Sequence, residues 1–109
     1  MLVIYVRHHI NPGQFDQALS RIVGNTDAMA GMPGFVFRHT GTPPGSKAEI
    51  ITVTAWRSPT DKAAWDEKRK APPPPGDPKV LYAKVETYEL ATSDDRWMPA
   101  IAAALKSAK

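Results

Sequence analysis

The sequence predicts a single α+β domain of the ferredoxin-like kind, in which two helices cover one face of an antiparallel four-stranded sheet. Three observations predict it. Strand-like and helix-like segments follow one another in the order of a split βαβ unit, strand, helix, strand, strand, helix, strand. The 109 residues suffice for one domain with one modest core. Apolar residues occur at both parities of the predicted strands, so both faces of the sheet need cover.

The first strand and helix are predicted over residues 2–30. Residues 2–10 are rich in β-branched and aromatic types and contain no Gly or Pro, as is typical of a strand. The segment Asn11-Pro12-Gly13-Gln14 then indicates a helix start, with Asn11 as the N-cap and Pro12 at the first helical position. The spacing of apolar residues predicts the buried stripe of this helix, and its polar residues, among them Arg21 and Asn25, are expected to face solvent. The stripe consists of Phe15, Leu19, Ile22, Val23 and Met29.

A hairpin and a second helix follow. Gly31-Met32-Pro33-Gly34 ends the first helix, and residues 35–40 and 49–56 are predicted to pair as strands across a loop of turn-forming residues. Ser58-Pro59-Thr60-Asp61 then supplies a Ser cap, Pro at the first position and a carboxylate in the first turn. The second helix is expected to run to about Lys70.

The last third of the chain begins with a proline-rich connection. Residues 72–78 contain five prolines, which exclude both helix interior and central strand. Residues 80–90 are predicted as the fourth strand, and Ser93-Asp94-Asp95 as the start of a C-terminal helix over about 93–107. We therefore expect one domain over residues 1–109, with its core within residues 2–90.

Composition excludes several classes of function. The net charge of +3 is spread along the chain, and the one tight basic cluster, Lys68-Arg69-Lys70, suits a helix C-terminus better than a nucleic-acid surface. The absence of cysteine excludes thiolate zinc sites and disulfides. His8 and His9 point to opposite faces of a strand and cannot chelate one ion together. No apolar run reaches roughly 18 residues, so we expect a cytoplasmic protein without nucleic-acid or membrane partners.

The apolar residues on the second face of the sheet are best buried by a second copy of the chain. Two helices shield only one face, yet apolar residues lie at both parities of the strands. The same face of a second copy would bury the remainder. We therefore predict a homodimer. The apolar residues that occur at the two parities of the strands are Val3, Tyr5, Ile50, Ile51, Val53, Leu81, Ala83 and Val85.

Three motifs resemble the antibiotic biosynthesis monooxygenase family of the dimeric α/β-barrel superfamily. They are the Asn11-Pro12-Gly13 entry to the first helix, Met32-Pro33-Gly34-Phe35 before the second strand, and Trp56-Arg57-Ser58 with Trp65 nine positions after Trp56. The resemblance spans about residues 2–90. It implies two sheets that form a central barrel in the dimer, with a ligand cavity between sheet and helices in each subunit.

The resemblance also implies a function. The family includes enzymes that oxygenate aromatic, quinol-like or polyketide compounds without metal or flavin, and others that bind and cleave haem. We therefore expect a monooxygenase that needs no cofactor and binds a small hydrophobic or aromatic ligand. The alternatives are a non-catalytic, small-molecule-binding or stress-related homodimer, and a haem-degrading enzyme. Haem is disfavoured because Val6 replaces the asparagine of that branch and no histidine follows His39.

The expected site is assembled from several elements. By the resemblance, Trp65 lies where the family has a cavity tryptophan, and it either donates its indole N–H to substrate or packs the second helix. Substrate deprotonation requires a base with a pKa near neutrality, for which imidazole is suited. His8 shares strand parity with Val6, which aligns with a cavity position, so His8 is the first candidate base and His39 the second; the alternative places both imidazoles on the surface. The residues expected to contact substrate are Ile4, Val6, Phe37 and Tyr82.

Overall fold

The computed structural model describes residues 1–69 and 77–92, and it has the predicted fold class. The strands form one antiparallel sheet in the order β2-β3-β1-β4. The predicted C-terminal helix over 93–107 and most of the proline-rich segment 72–78 lie outside the described residues. The elements are β1 (Leu2–Ile10), α1 (Phe15–Ala30), β2 (Phe35–Gly41), β3 (Glu49–Trp56), α2 (Pro59–Lys68), α3 (Pro78–Leu81) and β4 (Tyr82–Ala91).

The sheet has one face under the helices and one open face. In the register of β1 and β3, Ile4 pairs with Thr54 and His8 pairs with Ile50, and all four residues are buried. We call the side of these residues the helix face. Because alternate strand residues point to opposite sides, their neighbours form the other side, which we call the open face. It carries Val3, Tyr5, Arg7, His9, Phe37, His39, Glu49, Ile51, Val53, Ala55, Lys84, Glu86, Tyr88 and Leu90.

Two apolar clusters join the helices to the helix face. One cluster lies at the end of the sheet near Trp56 and Trp65, and the other lies at the end near Ile50 and Leu81. Burying a large apolar side chain contributes roughly 1.5–3 kcal/mol, so these clusters hold α1 and α2 on the sheet. The first contains Leu2, Ile4, Met29, Trp56 and Trp65, and the second contains Ile10, Ala18, Ile22, Ile50 and Leu81.

The predicted start of α1 was wrong by one turn. The helix begins at Phe15, with Gln14 at the N-cap position, because Gly13 adopts a φ of 79° that interrupts a helix. Asn11 does not cap the helix. Its backbone N–H donates to the carbonyl of Leu81 at 2.9 Å, and its Nδ2 donates to the carbonyl of Val80 at 2.9 Å. Asn11 therefore ties the end of β1 to α3.

The predicted start of α2 is confirmed. The hydroxyl oxygen of Ser58 accepts a hydrogen bond from the backbone N–H of Asp61 at 3.2 Å, and Pro59 occupies the first helical position. The helix ends at Lys68, close to the predicted end. Its capped start fixes where Trp65 lies along the sheet, since Trp65 is the buried residue of this helix.

Two other predictions need correction. Val80 does not open β4, because the Asp77 carboxylate accepts from the Lys79 backbone N–H at 2.9 Å and starts the short helix α3. The strand begins instead at Tyr82, which pairs with Ile10 beyond a register shift. Val23 is 45% exposed and lies outside the buried stripe of α1. Ala18, which the sequence did not single out, is fully buried in its place.

Candidate functional site

A cavity of about 270 Å³ lies between the helix face and the helices, where the two apolar clusters do not meet. It is near the lower end of the range of roughly 300–1,000 Å³ for ligand pockets. The walls combine apolar and charged groups. The apolar lining is formed by Ile4, Val6, Ile22, Met29, Trp56, Trp65, Pro78 and Val85, and the polar lining by His8, Arg21, Asn25, Arg38, Thr54, Lys62, Asp66, Arg69, Tyr82, Thr87 and Glu89.

His8 is a buried imidazole in the cavity wall. Its Nδ1 lies 3.0 Å from the carbonyl oxygen of Ile50, and its ring centroid lies 5.0 Å from that of Tyr82. A carbonyl oxygen only accepts hydrogen bonds, so Nδ1 carries the proton of the neutral ring and Nε2 keeps its lone pair. Within the described residues, Nε2 has no hydrogen-bond partner. His8 is therefore arranged as a proton acceptor.

The charge state of His8 follows from its surroundings. Burial is the largest influence and lowers the pKa of His8 below 6.5. The hydrogen bond to Ile50 acts in the opposite direction, and the positive charge of Arg38 lowers the pKa further. At pH 7 the imidazole is neutral, which is the form that can accept a proton.

Trp65 supplies an unsatisfied donor to the same cavity. The side chain is 3% exposed, and its indole Nε1–H is buried without a hydrogen-bond partner in the described part of the chain. A buried donor without an acceptor costs roughly 1–3 kcal/mol. A ligand oxygen in the cavity would recover that free energy. Trp65 also packs against Ile4 and Met29, so both roles expected from the sequence, donor and packing, are available to it.

Arg38 is a cation of the cavity that the sequence did not indicate. Its Nη1 donates to Thr26 Oγ1 at 3.1 Å and to the Ile22 carbonyl at 3.4 Å, while its Nε is buried without a partner among the described residues. Burial, reinforced by the charge of Arg69, lowers the pKa of Arg38 to about 10, whereas Tyr82 raises it. The guanidinium is nevertheless charged at pH 7.

The cavity has an excess of positive charge around Arg38. Four cationic side chains line it against two carboxylates, Asp66 and Glu89. Lys62 contacts both carboxylates, with its Nζ at 2.6 Å from Asp66 and 3.4 Å from Glu89. Such an arrangement favours an anion inside the cavity. Arg21 and Asn25, which the sequence predicted to face solvent, are in fact only partly exposed and line this cavity.

Neither a protein-family model nor a curated protein matches the sequence. Solved structures do match. A mutant of SnoaB, a cofactor-independent oxygenase from Streptomyces nogalater, superposes with a TM-score of 0.74 at 13% identity over 85% of this chain and 93% of that chain. A candidate antibiotic biosynthesis monooxygenase from Chloroflexus aurantiacus J-10-fl gives a TM-score of 0.63 at 18% identity over 86% and 95%. The chain has the antibiotic biosynthesis monooxygenase fold.

A third structure, Rv0793 from Mycobacterium tuberculosis, gives a TM-score of 0.71 at 16% identity over 87% of this chain and 97% of that chain. At such identities the likeness establishes the fold and not the activity. The agreement with the family named from the sequence motifs therefore concerns architecture. Activity has to be argued from the cavity itself.

Within the antibiotic biosynthesis monooxygenase fold, the sequence-predicted site residues divide into two groups. Five of them line the cavity: Ile4, Val6, His8, Trp65 and Tyr82. Phe37 and His39 lie instead on the open face, opposite Ala55 and Val53, and their rings contact one another at a centroid distance of 5.0 Å. The structure therefore does not bring these two residues to the cavity together with the other five.

A β-bulge explains that separation. Phe35 pairs with Trp56 and Phe37 pairs with the next residue of β3, Ala55, so Val36 is an extra residue in β2. Beyond the bulge the side-chain parity is reversed. Arg38 consequently lies on the helix face with Phe35, whereas an unbroken strand would have placed Phe37 and His39 there.

Residues 1–69 and 77–92 contain no group of three or more His, Cys, Asp or Glu side chains able to hold a metal ion. Nor does any helix among residues 1–69 and 77–92 combine the length and the apolar character needed to cross a bilayer.

Proposed function

We propose that the protein is a cofactor-independent monooxygenase that oxygenates an electron-rich aromatic, quinol-like or polyketide compound with O₂. The observation that carries the proposal is the neutral imidazole of His8, whose Nε2 is free to accept a proton within a cavity of positive charge. The description of SnoaB, a protein of the same fold, as a cofactor-independent oxygenase supports it.

The chemistry requires a substrate that can supply electrons once it is deprotonated. His8 Nε2 removes a proton from an activated methylene or a phenol, and the resulting anion transfers electrons to O₂. For a methylene, a C–O bond forms to give a hydroperoxide. Loss of the second C–H proton with cleavage of the O–O bond then yields a carbonyl, so that CH₂ and O₂ become C=O and H₂O. No external reductant is needed.

Charge stabilisation is the contribution of the rest of the cavity. The anion forms beside the positive charge of Arg38, which lowers the cost of deprotonation. Trp65 Nε1–H is available to donate to the anionic oxygen of the substrate or to the peroxide. Its removal should therefore slow the reaction without removing the base.

Oxygen uptake tests this function. With a dihydroxynaphthalene and an anthrone as probes of the quinol and activated-methylene classes, we expect enzyme-dependent O₂ consumption that persists in the presence of EDTA. Loss of one hydrogen bond to a charged group predicts that Trp65→Phe lowers kcat by roughly 10- to 100-fold. The free energy of unfolding of the variant should be measured in parallel. Tight binding of the probes without O₂ consumption would instead indicate the non-catalytic binding protein.

We also propose that the open face pairs with a second copy, as the sequence led us to expect. Tyr5, Tyr88 and Leu90 are 40%, 58% and 51% exposed there, next to the partly buried Ile51 and Val53. Exposed apolar groups concentrated on one sheet face are typical of an interface.

The mass in solution tests this pairing. We expect a dimer by sedimentation at micromolar concentration and a shift towards monomer in Leu90→Glu, since an unpaired carboxylate would be buried in the interface. Val80→Glu is the matched control, because Val80 is 53% exposed but belongs to α3 and not to the open face. A monomeric wild-type protein, or equal effects of both substitutions, would contradict the pairing.

A further inference from the structure

Arg38 carries a positive charge into the cavity wall without a matching carboxylate in the described chain. Asp66 and Glu89, the two carboxylates of the cavity, contact Lys62 instead. The groups that act on the charge of Arg38 are Arg69 and Tyr82. Arg38 is only partly exposed, and cations withdrawn from water in proteins are ordinarily paired. An unpaired one beside a cavity indicates that the cavity receives the anion.

The Arg38 guanidinium is held in position before any ligand arrives. Its Nη1 is fixed from α1 by Thr26 Oγ1 and the Ile22 carbonyl, at 3.1 and 3.4 Å. Its Nε is buried and has no acceptor within the described residues. Trp65 Nε1–H is a second buried donor of the same cavity without an acceptor. A ligand oxygen that reached either donor would satisfy it, whereas Asp66 Oδ1, buried without a hydrogen-bond partner among the described residues, lacks a donor.

We propose that the cavity binds an aromatic carboxylate, with Arg38 as the residue that recognises the carboxylate group. A planar guanidinium matches a carboxylate in geometry as well as in charge. The apolar side chains of Ile4, Met29 and Trp56 provide the surface for the ring. A volume of about 270 Å³ suits a compact ring system. The inference rests on the cavity of the proposed function being the binding site, and it names the class of substrate.

Binding of an isosteric pair tests the inference without turnover. Naphthoic acid and naphthamide differ in charge but hardly in shape, and their dissociation constants can be measured by titration calorimetry at pH 7. We expect the carboxylate to bind roughly 10- to 100-fold more tightly, as one charge-assisted interaction allows. Equal or tighter binding of the amide would overturn the proposal, as would no measurable binding of the carboxylate at millimolar concentration.

Variants assign the preference to one residue. Arg38→Met should bring the two dissociation constants to within about two-fold of each other, and Arg38→Lys should retain part of the preference. Lys79→Met is the control, since it removes a positive charge from an exposed side chain outside the cavity. A preference that survives in Arg38→Met would refute the role of Arg38. If that variant does not fold, the wild-type ratio and Arg38→Lys still decide the question.

The two proposals fail separately. Selective binding of the carboxylate by a protein that consumes no O₂ with any probe would support Arg38 recognition and reject the oxygenase. Oxygen uptake with neutral substrates, together with equal binding of acid and amide, would support the oxygenase and reject the aromatic acid.

Discussion

We expect His8→Gln to lower kcat for oxygen uptake by about 100- to 10,000-fold, the range over which a positioned general base contributes. Glutamine has a similar length and keeps a polar amide at this buried position, where Nδ1 now donates to the Ile50 carbonyl at 3.0 Å. It has no nitrogen that accepts a proton. The substitution therefore keeps a hydrogen-bonding group in the cavity wall and removes the basicity.

The control for His8→Gln is the same substitution at His39. His39 lies on the open face and cannot reach the cavity ligand. We expect His39→Gln to retain kcat within about two-fold, which for a rate corresponds to less than 0.5 kcal/mol. Oxygen-electrode measurements on both variants decide the assignment. Full activity of His8→Gln, or a comparable loss in His39→Gln, would show that His8 is not the base.

The pH dependence of the wild-type protein should carry the signature of His8. Burial lowers its pKa below the 6.5 of the unfolded chain, so the acid limb of kcat/KM should lie below pH 6.5. The folded protein also binds this proton less readily than the unfolded chain does. The free energy of unfolding is therefore undiminished above pH 6.5 and decreases as the pH falls from 6.5 towards the folded-state pKa. In His8→Gln the part of this decrease in the free energy of unfolding that is due to His8 should be absent.

The order and class of the elements could be predicted because they follow from local patterns. The capping of α2 by Ser58 and the apolar periodicity of α1 are contained within a few residues of sequence. The start of α1 could not be predicted in this way. Asn11 donates hydrogen bonds to the carbonyls of Leu81 and Val80, which are 70 and 69 positions away in the sequence. A rule based on neighbouring residues cannot predict such distant partners.

Five of the seven residues predicted for the site line the cavity, and the other two lie elsewhere for a physical reason. Strand parity placed His8 with Val6 correctly, because β1 is regular over these residues. In β2 the extra residue Val36 reverses the parity, and a bulge leaves little trace in composition. His39 was expected in the site as a second imidazole, without a parity argument, and the bulge turns Arg38 rather than His39 to the helix face. A bulge beside a cavity often re-aims a side chain, and here it re-aims the cation on which ligand recognition is proposed to depend.

The amphipathic pattern of α1 failed at Arg21 and Asn25 for a related reason. A polar residue at the margin of an apolar stripe is ordinarily assigned to solvent. In this fold the cavity lies between α1 and the sheet. Arg21 and Asn25 line it and are therefore partly buried without belonging to the apolar clusters. The sequence alone does not distinguish a polar cavity lining from a solvated helix face.

We expect Gly34→Ala to lower the free energy of unfolding by roughly 2–4 kcal/mol, combining the cost of a left-handed residue with that of an overpacked contact. Gly34 has a φ of 81°, which L side chains rarely adopt. A Cβ added there would overlap the Asp61 carboxyl group and approach Asp61 Cβ to 2.6 Å. That carboxylate cannot easily move, since it accepts from Ser58 Oγ at 2.9 Å and from Arg57 Nε at 3.2 Å.

Gly13→Ala separates the two costs. Gly13 has nearly the same φ, 79°, but an added Cβ would meet nothing within 4 Å. Gly13→Ala should lower the free energy of unfolding only by the backbone cost of roughly 1–2 kcal/mol. Urea unfolding of both variants measures the difference, which isolates the contact with Asp61. Equal decreases in the free energy of unfolding of the two variants would show that the close approach of Gly34 to Asp61 does not affect stability.

The consequence of Gly34→Ala for the site follows from what the turn positions. The Gly34 carbonyl accepts from the Arg57 backbone N–H at 2.8 Å, directly before the capped start of α2. A residue that pushes Asp61 away displaces this start, and with it Trp65, which lines the cavity. Gly34→Ala protein that remains folded should therefore also lose oxygen uptake, whereas Gly13→Ala should not. Close approach of the Gly34 backbone to the Asp61 side chain, rather than any group in contact with substrate, then sets the position of Trp65.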